Sequence, residues 1–258
     1  MFIPLHDSNA LDKIRLQYVT LIIIAANILI WTMTTTTEFV ATQQANVINY
    51  TYGFIPDAID GSVIFPPIID RPPEYFTYIS YSFLHAGFFH LAGNMLFLWV
   101  FGDNVEDAMG HFRFIIFYLV CTVIAAFAHW AMDPSSQIPL IGASGAAAGI
   151  VGAYLMLHPK VKVWILVLGR IPIKLSARWV IGFWILYQIY SLITDTTGQV
   201  SWAAHVGGFF AGALLIMVFK RSDVALFDRD LKLAERSVPT QTAEAKNPTK
   251  TAHRWGRD

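Results

Sequence analysis

The sequence predicts an all-α, polytopic membrane protein built as a bundle of six transmembrane helices, and three observations carry that reading. Of the 258 residues, 55% are hydrophobic and only 14% are charged, against roughly 25% charged in soluble domains. Six apolar runs approach the ~20 residues that a helix needs to cross a hydrocarbon core. The basic residues then alternate from one side of these runs to the other.

The first run, Leu16 to Met33, follows a polar or mixed segment bearing Lys13 and Arg15. No small-residue cleavage site followed by a soluble domain comes after it, so it is expected to be a retained span and not a signal peptide. The next four runs are His85 to Gly102, Phe112 to Met132, Ile141 to Leu157 and Arg178 to Ile193; Trp202 to Phe219 completes the set. Val161 to Leu168 is too short to span, and Lys160, Lys162, Arg170 and Lys174 around it make it interfacial. Arg113 lies between spans 2 and 3, five basic residues from Lys160 to Arg178 lie between spans 4 and 5, and Lys220 and Arg221 follow span 6. Loops 34–84, 133–140 and 194–201 hold only Arg71, so both termini are expected in the cytoplasm of a bacterial-type plasma membrane.

Loop 34–84 carries five prolines, at 56, 66, 67, 72 and 73, and many aromatics; so long a loop is expected to fold against the bundle or into the outer headgroup region. The domain plan is therefore a cytoplasmic N-terminal segment (1–15), a membrane domain (16–219) and a polar, mostly disordered cytoplasmic tail (220–258). The single Cys121 excludes an internal disulfide, and a formal net charge of zero gives no sign of a nucleic-acid partner.

Spans 2, 4 and 6 all enter from outside, so their first residues share one depth. Span 2 brings His90 and Asn94, four apart on one helix face; span 4 brings Ser144, and span 6 brings His205. A lone serine in an apolar helix commonly bonds back to its own backbone. Strongly polar side chains at a common depth on three helices instead indicate a shared site, because each is costly in lipid and turns toward the bundle interior. Gly208 and Gly212 on span 6, with Gly145, Gly149 and Gly152 beside Ser144, form small-residue stripes that let two helices approach closely.

The residue types define a chemistry. A serine hydroxyl needs a base to take its proton, and histidine is the usual one. None of the 18 carboxylates falls inside an expected span; Asp195 is the nearest and is not expected to reach His205, so a Ser-His dyad is favoured over a triad. His90, Asn94 and the backbone N–H of Ser144 are candidate donors to the oxyanion that attack on a carbonyl creates. These parts fit acyl transfer and, with water as second acceptor, peptide hydrolysis.

The chain resembles the rhomboid family of intramembrane serine proteases through "HAGFFHLAGNMLFLWVFGDNVED" on span 2, "GASG" opening span 4 and "AHVGGFFAG" on span 6. These pieces stand in the family's order and are spread over most of residues 78–219. The resemblance implies that Ser144 is the nucleophile, His205 the general base, and His90 and Asn94 the oxyanion donors. It also implies supporting roles for His85, Gly142, Gly145, Gly208 and Gly212. The implied substrates are membrane-anchored proteins, cut near the outer end of their transmembrane segment within the lipid bilayer, without metal, ATP or other cofactor. At the position four residues after the nucleophile, where well-known members often carry an aromatic, this chain has Ala148, and loop 1 lacks the Trp-Arg pair of several members.

Three rival readings predict other features. A non-proteolytic member of the same fold would bind transmembrane clients, but such relatives commonly lose the Ser or the His. A transporter or channel would show intramembrane charges or broken helices in paired repeats. A metalloprotease of the HExxH type is disfavoured because that motif is absent.

Overall fold

The computed structural model describes residues 2–40, 47–59, 61, 63–167, 169–195 and 200–227. Each of the six apolar runs folds as a helix: α1 (Tyr18–Val40), α4 (Phe88–Met109), α5 (His111–Met132), α6 (Ser144–Leu157), α7 (Ala177–Thr194) and α8 (Trp202–Phe219), with two short helices, α2 (Val47–Tyr52) and α3 (Glu74–Ser80), between the first and second. Among the described residues, α1, α5 and α8 are long and apolar enough to cross a membrane alone; a fourth span is reached if α3 and the 3-10 turn after it join α4 across an 88° bend. Helix α6 has 14 residues, about 21 Å, which is shorter than a ~30 Å hydrocarbon core.

Helix α6 is the axis of the bundle. Its residues from Gly145 to Tyr154 are all buried, as expected of a helix apolar on every side. Helix α8 crosses it at backbone contact: a Cβ on Gly208 would stand 2.0 Å from the carbonyl oxygen of Gly145, and one on Gly212 would stand 1.9 Å from that of Gly149. No side chain larger than hydrogen fits there, so the small-residue stripes are the reason these helices meet. Helices α4 and α5 close the core with Leu98, Phe101, Phe114 and Phe117, all essentially inaccessible. Gly110, at φ +80°, allows the sharp reversal between α4 and α5 that a side chain would strain.

Three sequence expectations are corrected. The fold is mostly helical but not all-α. Residues Phe2–Asp7 (β1), Lys162–Val167 (β2) and Ile171–Ser176 (β3) form an antiparallel sheet in the order β1-β2-β3. The interfacial run is thus a hairpin turning through Gly169, at φ +68°, with Val163 and Ile165 turned inward and Lys162 and Trp164 outward, the period of two that a half-buried strand requires.

The second correction concerns charge. Helix α4 runs seven residues past the expected end at Gly102, carrying Asp103, Glu106 and Asp107 on the helix itself. Glu106 is fully buried, and its carboxylate accepts from the backbone N–H of Val19 (3.0 Å) and Thr20 (2.8 Å) and from the Thr20 hydroxyl (2.7 Å). It therefore satisfies orphan donors at the start of α1, with the negative charge on the favourable end of the helix dipole. Asp107 does the same for the preceding segment, accepting from Asp12, Lys13 and Ile14. Asp7 of β1 is bound by the Tyr154 hydroxyl (2.5 Å) and the Asn104 amide (3.1 Å), and burial raises its carboxyl above the ordinary range.

The third correction is local. Helix α4 begins at Phe88 and α6 at Ser144, so His85 and Gly142 sit in the approaches to their helices and not within them. Loop 34–84 folds against the bundle as expected over its described residues: Phe54 and Ile55 are wholly buried, and Phe54 bridges Leu140 in both directions (2.8 and 3.2 Å). Arg71 pairs with Glu74 at 2.7 Å and donates to the carbonyl of Tyr50. At the other end, residues 220–227 fold back on the bundle, with Arg221 N–H donating to Ala108 and Phe227 N–H to Met156. The remainder of the expected tail, 228–258, lies outside the described residues.

Candidate active site

Ser144 is the first residue of α6, reached by a loop that is pinned at each step. Leu140 is held by Phe54, the Gly142 N–H donates to the Tyr81 carbonyl (2.9 Å), and the Ala143 N–H donates to His85 Nε2 (3.5 Å). Tyr81 is fixed in turn by its hydroxyl, which donates to the Thr122 carbonyl of α5 at 2.8 Å. Gly142 adopts φ +115°, a backbone that glycine enters without strain. Standing at the first helical position, Ser144 also has a backbone N–H with no acceptor within its own helix.

His205 is one turn into α8. The start of α8 is capped by Ser201, whose hydroxyl accepts from Ala204 N–H and lies 2.7 Å from His129 Nδ1 of α5. The close crossing of α6 and α8 then brings His205 Nε2 to 2.8 Å from Ser144 Oγ. Both side chains are half-buried.

His90 and Asn94 lie on the same side of this pair. A Cβ built on Gly142 would meet His90 Nε2 at 2.7 Å and Asn94 Nδ2 at 3.5 Å. Both nitrogens therefore converge on the loop two residues before Ser144, and any side chain at 142 would fill that space. Asn94 Nδ2 is buried and has no hydrogen-bond partner, which is uncommon for a buried donor in a folded protein. His85 packs edge-on to His90 at 5.1 Å between ring centroids.

The sequence reading placed Ser144, His205, His90, Asn94 and His85 in one site, and the structure brings all five into one neighbourhood. Asp195 accepts from the Trp202 indole at 2.6 Å, and both ring nitrogens of His205 have other partners. Three neighbours of His205 were missed. Gln188 of α7 places its side-chain oxygen 2.8 Å from His205 Nδ1. Trp184, one turn earlier on α7, lies tilted at 30° over the ring at 6.5 Å, and Trp202 meets it edge-on at 6.0 Å. These two indoles supply the aromatic packing that Ala148 cannot. Gln188 was legible in principle, being the amide in the apolar run "WILYQIYSLI" on a buried stripe with Ile181 and Ile185.

Fold and site together define a class: a helical membrane protein with a serine–histidine pair set inside its bundle, at the mouth of a short central helix. Comparison with known proteins narrows the class to a family. The family model described as the Rhomboid domain matches residues 72–222, and the chain belongs to the rhomboid family. Rhomboid-like protein 11, chloroplastic, of Arabidopsis thaliana is 29% identical over 171 residues, covering 62% of this chain and 58% of that protein. Rhomboid protease GluP of Bacillus subtilis is 31% identical over 144 residues, or 55% of this chain and 26% of that protein. Rhomboid protease AarA of Providencia stuartii is 29% identical over 167 residues, with shares of 57% and 56%. The chain thus spans less than two thirds of the length of each of these relatives.

Proposed function

We propose that this protein is an intramembrane serine endopeptidase that hydrolyses membrane-anchored proteins near the outer end of their transmembrane segment, using Ser144 and His205 as a catalytic dyad. The observation that carries the reading is the 2.8 Å contact between Ser144 Oγ and His205 Nε2, inside the hydrogen-bond range a nucleophile and its base require. The relatives named as proteases support it. In the proposed topology α1 and α4 to α8 are six spans, with both termini cytoplasmic. With its far end near the cytoplasmic surface, a 21 Å α6 holds Ser144 below the outer surface, where water must enter from that side.

In the first half-reaction His205 Nε2 takes the Ser144 proton as Oγ bonds to the scissile carbonyl carbon, and the carbonyl oxygen gains the negative charge. His90, Asn94 and the Ser144 backbone N–H are its donors, and the unpartnered Asn94 amide supports that role. The imidazolium then protonates the leaving amine as the C–N bond breaks, leaving an acyl-serine. In the second half-reaction His205 takes a proton from water, whose oxygen attacks the ester, and returns it to Oγ as the acyl group leaves as a carboxylic acid. His85 supports this machinery through the loop at Ala143. The chemistry uses no metal and no nucleotide.

The test is labelling in membranes by a fluorophosphonate, together with cleavage of a model transmembrane substrate. Labelling at Ser144 and cleavage, both lost in Ser144→Ala and in His205→Ala, are expected. Cleavage that persists in Ser144→Ala would overturn the proposal.

A further inference from the structure

We propose that Gln188 is a positioning residue for His205: its side-chain oxygen accepts the Nδ1–H and so holds the Nε2 lone pair toward Ser144. The inference rests on the dyad reading above and adds a third member that supplies no charge.

The argument begins with valence. A neutral imidazole carries one N–H and one lone pair, and which nitrogen carries which is set by its partners. The Gln188 oxygen, 2.8 Å from Nδ1, can only accept. Nδ1 must then be the donor, and Nε2, 2.8 Å from the Ser144 hydroxyl, is left as the acceptor. The same bond fixes ring rotation, because swinging the ring away breaks both contacts together.

Placement supports the assignment. Gln188 is only 4% exposed, on the inward stripe of α7 with Val180, Ile181 and Ile185, while Phe183, Leu186, Tyr187 and Tyr190 face outward. A buried amide on an apolar stripe needs a polar partner, and His205 is that partner. Trp184, four residues earlier on the same face, lies over the same ring. No Asp or Glu occurs in α6, α7 or α8. Among the described residues, the titratable groups facing His205 are Ser144 from α6 and His90 from α4. On α8 the Trp202 indole meets the ring edge-on and donates to Asp195, and on α5 His129 is bonded to Ser201. A neutral acceptor suits an apolar surrounding, where an ionised carboxylate would be expensive.

The experiment compares Gln188→Leu, which removes the acceptor at similar volume, with Gln188→Glu, which keeps an acceptor and adds charge. Losing the orienting carboxylate of a soluble triad lowers kcat about 10⁴-fold; for a neutral acceptor we expect Gln188→Leu to lower kcat about 10- to 100-fold with KM within about twofold. Gln188→Glu should retain most of the kcat above neutral pH. It should also carry the acid limb of kcat/KM about one unit toward higher pH, since a carboxylate favours the protonated ring. Wild-type kcat in Gln188→Leu would overturn the inference, as would equal losses in both variants with an unmoved acid limb, the signature of packing alone. If Gln188→Leu fails to elute and melt like wild type, the acid limb of Gln188→Glu decides. Absence of fluorophosphonate labelling at Ser144 in the wild type would sink the proposed function and this inference with it, whereas a labelled wild type with unaffected variants sinks only the role of Gln188.

Discussion

Gly208→Ala tests whether the crossing of α6 and α8 sets the geometry of the proposed dyad. The added methyl would stand 2.0 Å from the Gly145 carbonyl oxygen, 2.9 Å from its carbonyl carbon and 3.4 Å from its Cα. All three are backbone atoms, so no flexible side chain can yield. Ordinary contact begins at 3.4 Å, and the helices must therefore part by about 1.4 Å (3.4 − 2.0) at a point next to Ser144 and three residues from His205. Carried to the dyad, that shift takes the 2.8 Å contact beyond hydrogen-bond range. Overpacking of this kind costs about 1–3 kcal/mol of stability, which a bundle can survive, but a misplacement of ~1 Å at reacting groups costs about 100-fold in rate. We expect Gly208→Ala to remain inserted with a lowered melting temperature and to lose at least about 100-fold in kcat/KM on a transmembrane substrate. Gly182→Ala is the control, because a Cβ there meets nothing within 4 Å. Wild-type kcat/KM in Gly208→Ala would refute the reasoning.

His90→Ala and Asn94→Ala should lower kcat more than they raise KM, with the larger loss for His90→Ala and each at or below the about 10²- to 10³-fold seen for an oxyanion donor; steady-state kinetics that move only KM would assign the pair to binding. Glu106→Ala should destabilise by about 1–3 kcal/mol, because three donors on Val19 and Thr20 lose their acceptor, and an unchanged melting temperature would contradict the capping role. Asp7 has its carboxyl raised by burial, so its contribution is full below pH 3.8 and lost as pH rises through the folded value. Relative to wild type, Asp7→Asn should then gain melting temperature from pH 4 to pH 7, and a constant difference would count against the shift. For topology, cysteines at Ile64 and Arg170, both exposed, should react differently with an impermeant maleimide in whole cells, only the first being labelled; the reverse pattern would invert the bundle.

The legible part of the site consisted of polar residues in apolar surroundings. Ser144, His205, His90 and Asn94 stand out because lipid penalises them, and that penalty is a property of the residue itself. Gln188 obeys the same rule but was passed over, since its meaning depends on a ring seventeen positions away on the next helix. Long-range pairing also hid part of the sheet: six residues at period two are too few to distinguish a strand from a short interfacial run, and one of the two partners of β2 lies at residues 2–7. The carboxylates of "GDNVED" read naturally as the end of a span. The purpose of Glu106 and Asp107 is supplied by N–H groups of residues 12–20, which no local pattern reveals, whereas Asp103 accepts from its neighbour Asn104.

The pairing of β1 with β2 bears on how the chain is made. Asp7 lies opposite Val163, so the ribosome must add 156 further residues (163 − 7) before the first strand meets its neighbour. At about 5–20 residues per second, that is a wait of about 8 to 30 s. During this time α1, α4, α5 and α6 are made while β1 stays unpaired, and Asp7 has neither Tyr154 nor, at first, Asn104 to bind. The sheet is therefore a late closure that ties the segment ahead of α1 to the hairpin before α7. A substitution in β1 that weakens this pairing acts on that late step, and its effect should appear as slow maturation before it appears as lost activity.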